Sequence, residues 1–299
     1  MKKLDALGDR MKDHEVRFRS FLPRKSNMII RIDGKAFHSF TKNMDKPFDF
    51  GLMEDMAETT KYLCSKIQGA KMGYTQSDEI SILLTDYDSN KTDSWFDGQV
   101  QKIVSVAASM ATAKFNKLRA IRAIGNINVS YDEAGETGMI QLYHSAIEDM
   151  TLAEFDARVY TLPDAEEVVN YFIWRQQDAT RNSISMAAQA YFSHSELQNV
   201  NTGKQQDMLM LQKGINWNEY PTPAKRGWTI KRENQTWVRA KDGKSFKPYL
   251  ASAENMNFTD DGIEFERNTW VIDNDMPILT QDRQYVLNVL PNKLNTWRE

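Results

Sequence analysis

Hydrophobic and polar positions alternate between two periods along the first two thirds of the chain. Asn27 to Ile32 is a short, nearly continuous apolar run, which predicts a buried strand. From Leu52 the positions Met53, Met56, Ala57, Leu63, Cys64 and Ile67 recur at helical spacing, predicting a helix that ends before Gly69. Ala70–Thr75 and Ile80–Thr85 read as two strands joined by the tight Gln76-Ser77-Asp78 segment. A helix from Trp95 to Asn116 follows, its stripe made by Phe96, Val100, Ile103, Val104, Ala107, Met110, Ala111 and Phe115. Ala153–Leu162 predicts a fourth strand, stopped by Pro163. Asp164 with Glu167 three residues on has the spacing of an N-cap box opening a helix through Val168, Val169, Phe172, Ile173 and Trp174. Residues 1–26 are charged, with Leu4, Leu7, Met11 and Phe18 at roughly helical spacing and Pro23 closing the segment.

In order, these elements give β-α-β-β-α-β, the split βαβ or ferredoxin-like arrangement, with residues 117–152 as an insertion. The fold class expected is α+β, an antiparallel sheet with two helices on one face. In that topology the first strand neighbours the central hairpin, as in the palm of nucleotide polymerases and cyclases. Beyond about residue 200, Trp228-Thr229-Ile230, Trp237-Val238 and a turn at Asp242-Gly243 predict a β-rich appendage. The division expected is a palm-like catalytic core over 1–162 and a helical and β-rich region over 163–299.

Composition narrows the class. With 41% hydrophobic and 26% charged residues in 299, the chain has a normal globular balance rather than a disordered one. No run approaches bilayer length and the N-terminus lacks a secretory pattern, so a cytoplasmic protein without membrane contact is expected. A net charge of −3 leaves no global nucleic-acid footprint, so any such partner must meet a local basic surface. The single cysteine, Cys64, excludes an intrachain disulfide and a thiolate zinc cage; its place on an apolar stripe predicts a buried bystander.

The candidate chemistry lies in two acidic clusters. Asp33 follows the apolar run Ile29-Ile30-Arg31-Ile32, and Asp78-Glu79 stands at the hairpin turn. Each alone is ordinary turn chemistry, but the βαββ order brings Asp33 and Asp78 to one sheet edge. Two carboxylates there suit Mg²⁺ beside a nucleoside triphosphate, with the Gly34 carbonyl approachable because no side chain blocks it. Backbone N–H groups along Lys35-Ala36-Phe37-His38 can cradle phosphates, and Lys35 can pair with their charge. His38 reads equally as a phosphate or base contact and as a partly buried histidine bonded to backbone. Ser77 can reach a phosphate, and Lys46 in the loop before the first helix offers another contact. Lys102, Arg158 beside Asp156, and the pair Lys225-Arg226 are candidates for tRNA or triphosphate binding; solvated faces or a structural ion pair are the plainer readings. There is no GxxxxGK[ST] loop, HExxH pair or CxxC.

Arg31-Ile32-Asp33-Gly34-Lys35-Ala36-Phe37-His38-Ser39-Phe40, Lys46-Pro47, Gly73-Tyr74-Thr75-Gln76-Ser77-Asp78-Glu79 and Phe155-Asp156-Ala157-Arg158 together resemble the tRNA(His) guanylyltransferase family. The similarity is to its Thg1-like bacterial and phage-type members, the 3′–5′ polymerases, and covers about residues 1–240. It implies a polymerase-like palm, two Mg²⁺ ions, ATP and GTP or other NTPs as substrates, a homotetramer, and addition of nucleotides to the 5′ end of tRNA. Asp33, the Gly34 carbonyl and Asp78 would be the metal ligands. Nucleotide contacts would come from Asp33 through His38, Lys46, Ser77 and Asp78, with Glu79 a supporting catalytic acid. The reaction implied is activation of a 5′-monophosphate end by ATP, then attack by the 3′-hydroxyl of an incoming nucleotide. Where eukaryotic members carry a His-Ile-Asn-Asn-Leu-Tyr-Asn type segment, this chain has Thr180-Arg181-Asn182-Ser183-Ile184-Ser185-Met186. That departure favours templated repair of truncated 5′ ends over dedicated addition of guanosine to tRNA(His). A palm-type nucleotide cyclase and a non-catalytic RNA-binding module are the alternatives.

Overall fold

The computed structural model describes residues 6–127, 131–239, 245–246 and 263–291. In chain order its elements are α1 (Ala6–Val16), β1 (Asn27–Gly34), α2 (Phe37–Phe40), α3 (Phe50–Lys66), β2 (Ala70–Gln76), β3 (Glu79–Thr85), α4 (Val100–Gly125), α5 (Tyr131–Glu148), β4 (Phe155–Leu162) and α6 (Ala165–Gln189). They continue with α7 (His194–Leu197), α8 (Thr202–Lys213), α9 (Thr222–Arg226), β5 (Trp228–Arg239), β6 (Ser245–Phe246), β7 (Ile263–Asp273) and α10 (Gln284–Leu287). The strands form one seven-stranded antiparallel sheet in the order β4-β1-β3-β2-β5-β6, with β7 also paired to β5.

β1 is apolar on both faces because both faces are covered. Met28, Ile30 and Ile32 pack with Ile80 and Ile82 of β3 under α3 and α4. Ile29, with Met72 and Leu83, lies under Val168, Val169 and Phe172 of α6 and under Met276 and Leu279. The expected pair of helices on one face is therefore α3 and α4, while α6 covers the other. The Asp164 carboxylate caps α6 by accepting from the Glu167 N–H at 2.8 Å, as the spacing predicts. α3 sits close on β2: a Cβ at Gly73 would stand 2.6 Å from the Cys64 sulfur. Cys64 is buried, and burial pushes its thiol far up, so it is the inert bystander expected.

Three expectations change. Trp95–Gly98 is a short 3₁₀ turn with Phe96 and Asp97 in left-handed conformations, and α4 then runs past Asn116 to Gly125. Asn116 does not stop the helix. Its amide pairs instead with both backbone groups of Ala153, at 2.8 and 2.9 Å, and fixes the approach to β4. The expected insertion 117–152 thus begins inside α4 and continues as α5. Residues 194–226 are mainly helical rather than β-rich. β5 then joins β2 directly, with Gly73 opposite Ile230, so the sheet runs across the boundary expected at residue 162. The predicted turn at Asp242-Gly243 lies outside the described residues. Among the described residues no helix is long and apolar enough to cross a membrane.

Candidate active site

The β1–β3 register sets Asp33 opposite Glu79, and the Gly34 N–H donates to the Asp78 carbonyl at 3.1 Å, closing the end of β1 onto the hairpin turn. Ser77 takes a left-handed conformation at the apex, and its hydroxyl donates to Asp78 Oδ1 at 2.9 Å. Asp33 and Asp78 therefore meet at one edge, as the element order predicts. Burial, first, pushes the Asp78 carboxyl above the ordinary carboxylate range; the Ser77 hydrogen bond opposes this and the charges of Asp33 and Glu79 add to it. Among the described residues no cation pairs with either acid.

Glu79 is different. It is buried, and Arg175 Nη1 on α6 lies 2.8 Å from both of its oxygens while Arg31 Nη2 lies 2.7 Å from Oε2. Arg175 is only 3% exposed and packs 3.4 Å from the centroid of the Trp174 ring, with Asp178 beside it at 3.6 Å. A carboxylate neutralised on two sides cannot serve as a free metal ligand. Glu79 is therefore committed to holding the turn, which fits the supporting part expected of it. Arg175 was missed on the sequence because it lies 96 residues from its partner. The available signal was an arginine on the buried stripe of α6.

Phe37 is buried against Phe40, Phe155 and Phe115, with ring centroids 4.9, 5.3 and 5.8 Å away, so its ring cannot touch a nucleotide and only its backbone can. That ring also explains Gly34: a Cβ there would fall 2.2 Å from it. The need for glycine here is internal packing. Lys35 is exposed, but its amine pairs with Glu154 at 2.5 Å and its N–H donates to the Glu154 carbonyl. Ala36 opens α2 in a left-handed conformation with no side-chain cap. His38 is exposed, which removes the buried-histidine reading.

Lys46 and Ser77 border a mainly apolar cavity of about 100 Å³ between α3, α6 and α9, next to the acid pair. Ser183 and Met186, from the segment that departs from the eukaryotic pattern, line it too, and the Ser183 hydroxyl accepts from the Trp217 indole at 3.0 Å. The other basic candidates, Lys102, Arg158, Lys225 and Arg226, do not line this cavity, although Ala224 and Gly227 on either side of the last two do, and Asp156 beside Arg158 stands opposite Asp33 in the β1–β4 register. Lys102 is in the first turn of α4, where Gln99 bridges Phe21 before β1 begins, and its amine rests 4.7 Å over the Phe96 ring. Arg158 pairs with Asp156 at 3.4 Å, the structural pair expected. The Lys225 amine donates to the Asn218 carbonyl at 2.6 Å, and burial with the neighbouring Arg226 lowers its pKa.

With this geometry in place, the family model described as tRNAHis guanylyltransferase matches residues 8–163. The chain belongs to the tRNA(His) guanylyltransferase family. A bacterial guanylyltransferase-like protein solved in complex with ATP superposes with a TM-score of 0.72 at 42% identity, over 96% of this chain and 100% of that one. A bacterial guanylyltransferase-like protein in complex with GTP gives 0.68 at 41%, over 95% and 99%. The tRNA(His) guanylyltransferase of Debaryomyces hansenii is 27% identical over 226 residues, 72% of this chain and 76% of that one. The chain is thus a nucleotidyltransferase that extends the 5′ end of tRNA in the 3′–5′ direction. The cyclase and the non-catalytic RNA module give way to it.

The acid pair has donor chemistry suited to a hard divalent cation. Among the described residues no three His, Cys, Asp or Glu side chains converge. Mg²⁺ does not need that many, since one or two carboxylates with substrate phosphates and water complete its shell. Two hard-oxygen donors with no cation in ion-pair contact among the described residues, one of them partly desolvated, fit such an ion, whereas Glu79 is already paired.

Two outcomes follow from these charges. Because the Asp78 pKa is raised in the fold, its ionised form costs stability above that pKa, and the cost fades as pH falls through it. Asp78→Asn should therefore raise the melting temperature in metal-free buffer at neutral pH by roughly 2 °C, with the gain shrinking towards pH 4 in a scanning-fluorimetry series. Arg175→Ala should lower the unfolding free energy by about 3 kcal/mol. Adding Glu79→Gln should recover part of that loss, read by urea unfolding as a double-mutant cycle.

Proposed function

We propose that this enzyme restores missing 5′ nucleotides to tRNAs by templated addition, using Asp33 and Asp78 as the metal-holding acids of a polymerase-palm-like, ferredoxin-type core. The observation that carries the reading is the Asp33–Asp78 pair at one sheet edge with no ion-pair partner among the described residues, joined to the mainly apolar cavity by Ser77, which lines the cavity and donates to Asp78. The β4-β1-β3-β2 order supports the palm assignment.

Asp33, Asp78 and the Gly34 carbonyl are the oxygen donors for two Mg²⁺ ions, which when bound supply charge neutralisation on the phosphates and a lowered pKa for the attacking hydroxyl. The N–H groups of Ala36 to His38 and the Ser77 hydroxyl orient the triphosphate, and exposed His38 and Lys46 contact it from the rim. The Lys35 N–H is committed to Glu154, so Lys35 contributes through its amine once a phosphate competes for it. Met186 and Ala179 give the base an apolar wall that excludes water. ATP supplies the activating adenylyl group and GTP or another NTP the added nucleotide. The chemistry is positioning and charge neutralisation, which needs no covalent nucleophile. A homotetramer, implied by the resemblance, belongs to the same reading.

Asp33→Ala and Asp78→Ala should each lower nucleotide addition by at least about 100-fold while circular dichroism stays native. Full activity in either variant would remove the metal assignment. The template reading has its own test, because a base pair selects the incoming nucleotide by geometry and the Thr180–Met186 segment lacks the eukaryotic pattern. Changing the base opposite the vacant 5′ position should switch which NTP is incorporated, in several tRNAs. Guanosine added whatever the opposing base, and only to tRNA(His), would replace repair with dedicated guanylylation.

A further inference from the structure

The chain is acidic overall, and the basic residues that cluster in sequence do not form a surface for a polyanion. Lys225 is tied to a carbonyl, Arg158 is paired and Lys102 stands on a lone ring. Tertiary structure assembles a different cluster. A groove of about 360 Å³ runs between the outer face of α3, α4 and the β5–β7 hairpin, with Lys61, Lys114, Arg232 and Arg267 along it. The one carboxylate there, Glu58, is taken up by Lys61 at 3.3 Å, and among the described residues the other three cations make no ion pair. Two of them lie over rings that also line the groove, Arg232 over Trp270 at 5.0 Å and Lys114 over Tyr62 at 5.9 Å. The Trp270 indole N–H is buried with no acceptor, a donor left unmatched at the wall.

The groove is aligned with the active site through α3. Leu52, Met53 and Met56 at the start of this helix line the nucleotide cavity, and Lys61 borders the groove. Lys61 is roughly 14 Å further along the helix axis than Leu52. A duplex stem whose 5′ end enters the cavity can therefore lay several backbone phosphates along α3 towards the hairpin. We propose that this groove is the docking track for the phosphate backbone of the tRNA acceptor stem, with Lys61, Lys114, Arg232 and Arg267 as its phosphate contacts. The inference rests on the nucleotide-addition reading for the location of the 5′ end. Cations held over flat rings keep their charge in place while leaving N–H groups to donate, which suits phosphate oxygens without reading base sequence.

The test uses the full chain and a tRNA transcript lacking its first nucleotide. Binding is measured by fluorescence anisotropy across a salt series, and ATP affinity is measured separately. For Lys114→Ala/Arg232→Ala/Arg267→Ala, the tRNA Kd should rise at least about tenfold and the log–log salt slope should fall by roughly 2 to 3, close to one per lost contact. The KM for tRNA should rise while ATP affinity stays unchanged. If the triple variant does not fold, the single variants Lys114→Gln and Arg232→Gln should each lower the slope by about 1, and Arg232→Lys should restore it. A wild-type slope and Kd in folded variants would overturn the groove and leave the nucleotide-addition reading standing. So would variants whose only change is oligomeric state by light scattering, which would make the groove an interface between copies. Absence of addition and of tRNA binding by the wild type would instead strike at that reading itself.

Discussion

A carboxylate moved out of water costs several kcal/mol unless positive charge and hydrogen bonds meet it, and at the candidate site Glu79 meets that demand with two guanidinium groups. The guanidinium groups of Arg31, from the neighbouring strand, and Arg175, from the helix across the sheet face, converge on it. The consequence reaches beyond the ion pair. Glu79 begins β3, so fixing it fixes the turn before it, and with it Ser77 and Asp78. Arg175 also begins the stretch of α6 that leads to Ala179, Ser183 and Met186 at the cavity wall. One buried cluster therefore sets the Asp33–Asp78 edge and the cavity wall relative to each other.

Asp33 and Asp78 are arranged in the opposite way. They lack the partners that Glu79 has, and Asp78 is held in an environment that disfavours its charge. Adjacent residues of one turn thus differ in environment, Glu79 fully paired and Asp78 held against its charge. The unpaired, partly desolvated carboxylate costs the fold some stability, which the proposed metal role would turn to account.

How much of this was legible in the sequence depended on range. β1, β2, β3 and α3 were readable because both faces or one stripe of each is buried, and burial writes a period into the sequence. The meeting of Asp33 and Asp78 followed from element order alone. Contacts that join distant segments left no period. Arg175 meeting Glu79, Asn116 bonding the lead-in to β4, and β5 pairing with β2 all needed the assembled sheet. The same holds for surface charge: Lys225-Arg226 stood out as neighbours in sequence, while the basic groove draws on α3, α4 and the late hairpin. Phe37 shows the converse error, a residue inside a functional motif whose side chain serves the core.

That last placement links the reactive loop to the interior. The Phe37 ring lies over Gly34 and among Phe40, Phe115 and Phe155, so the loop beside Asp33 and Asp78 is pinned by an aromatic cluster shared with α4 and β4. Loosening that cluster from a distance, for instance by trimming Phe115, would let the loop drift without touching any residue that meets nucleotide. Heat or a mild core lesion would then silence the enzyme before it unfolds, and the working temperature of the catalyst would be set by four phenyl rings rather than by the global melting point.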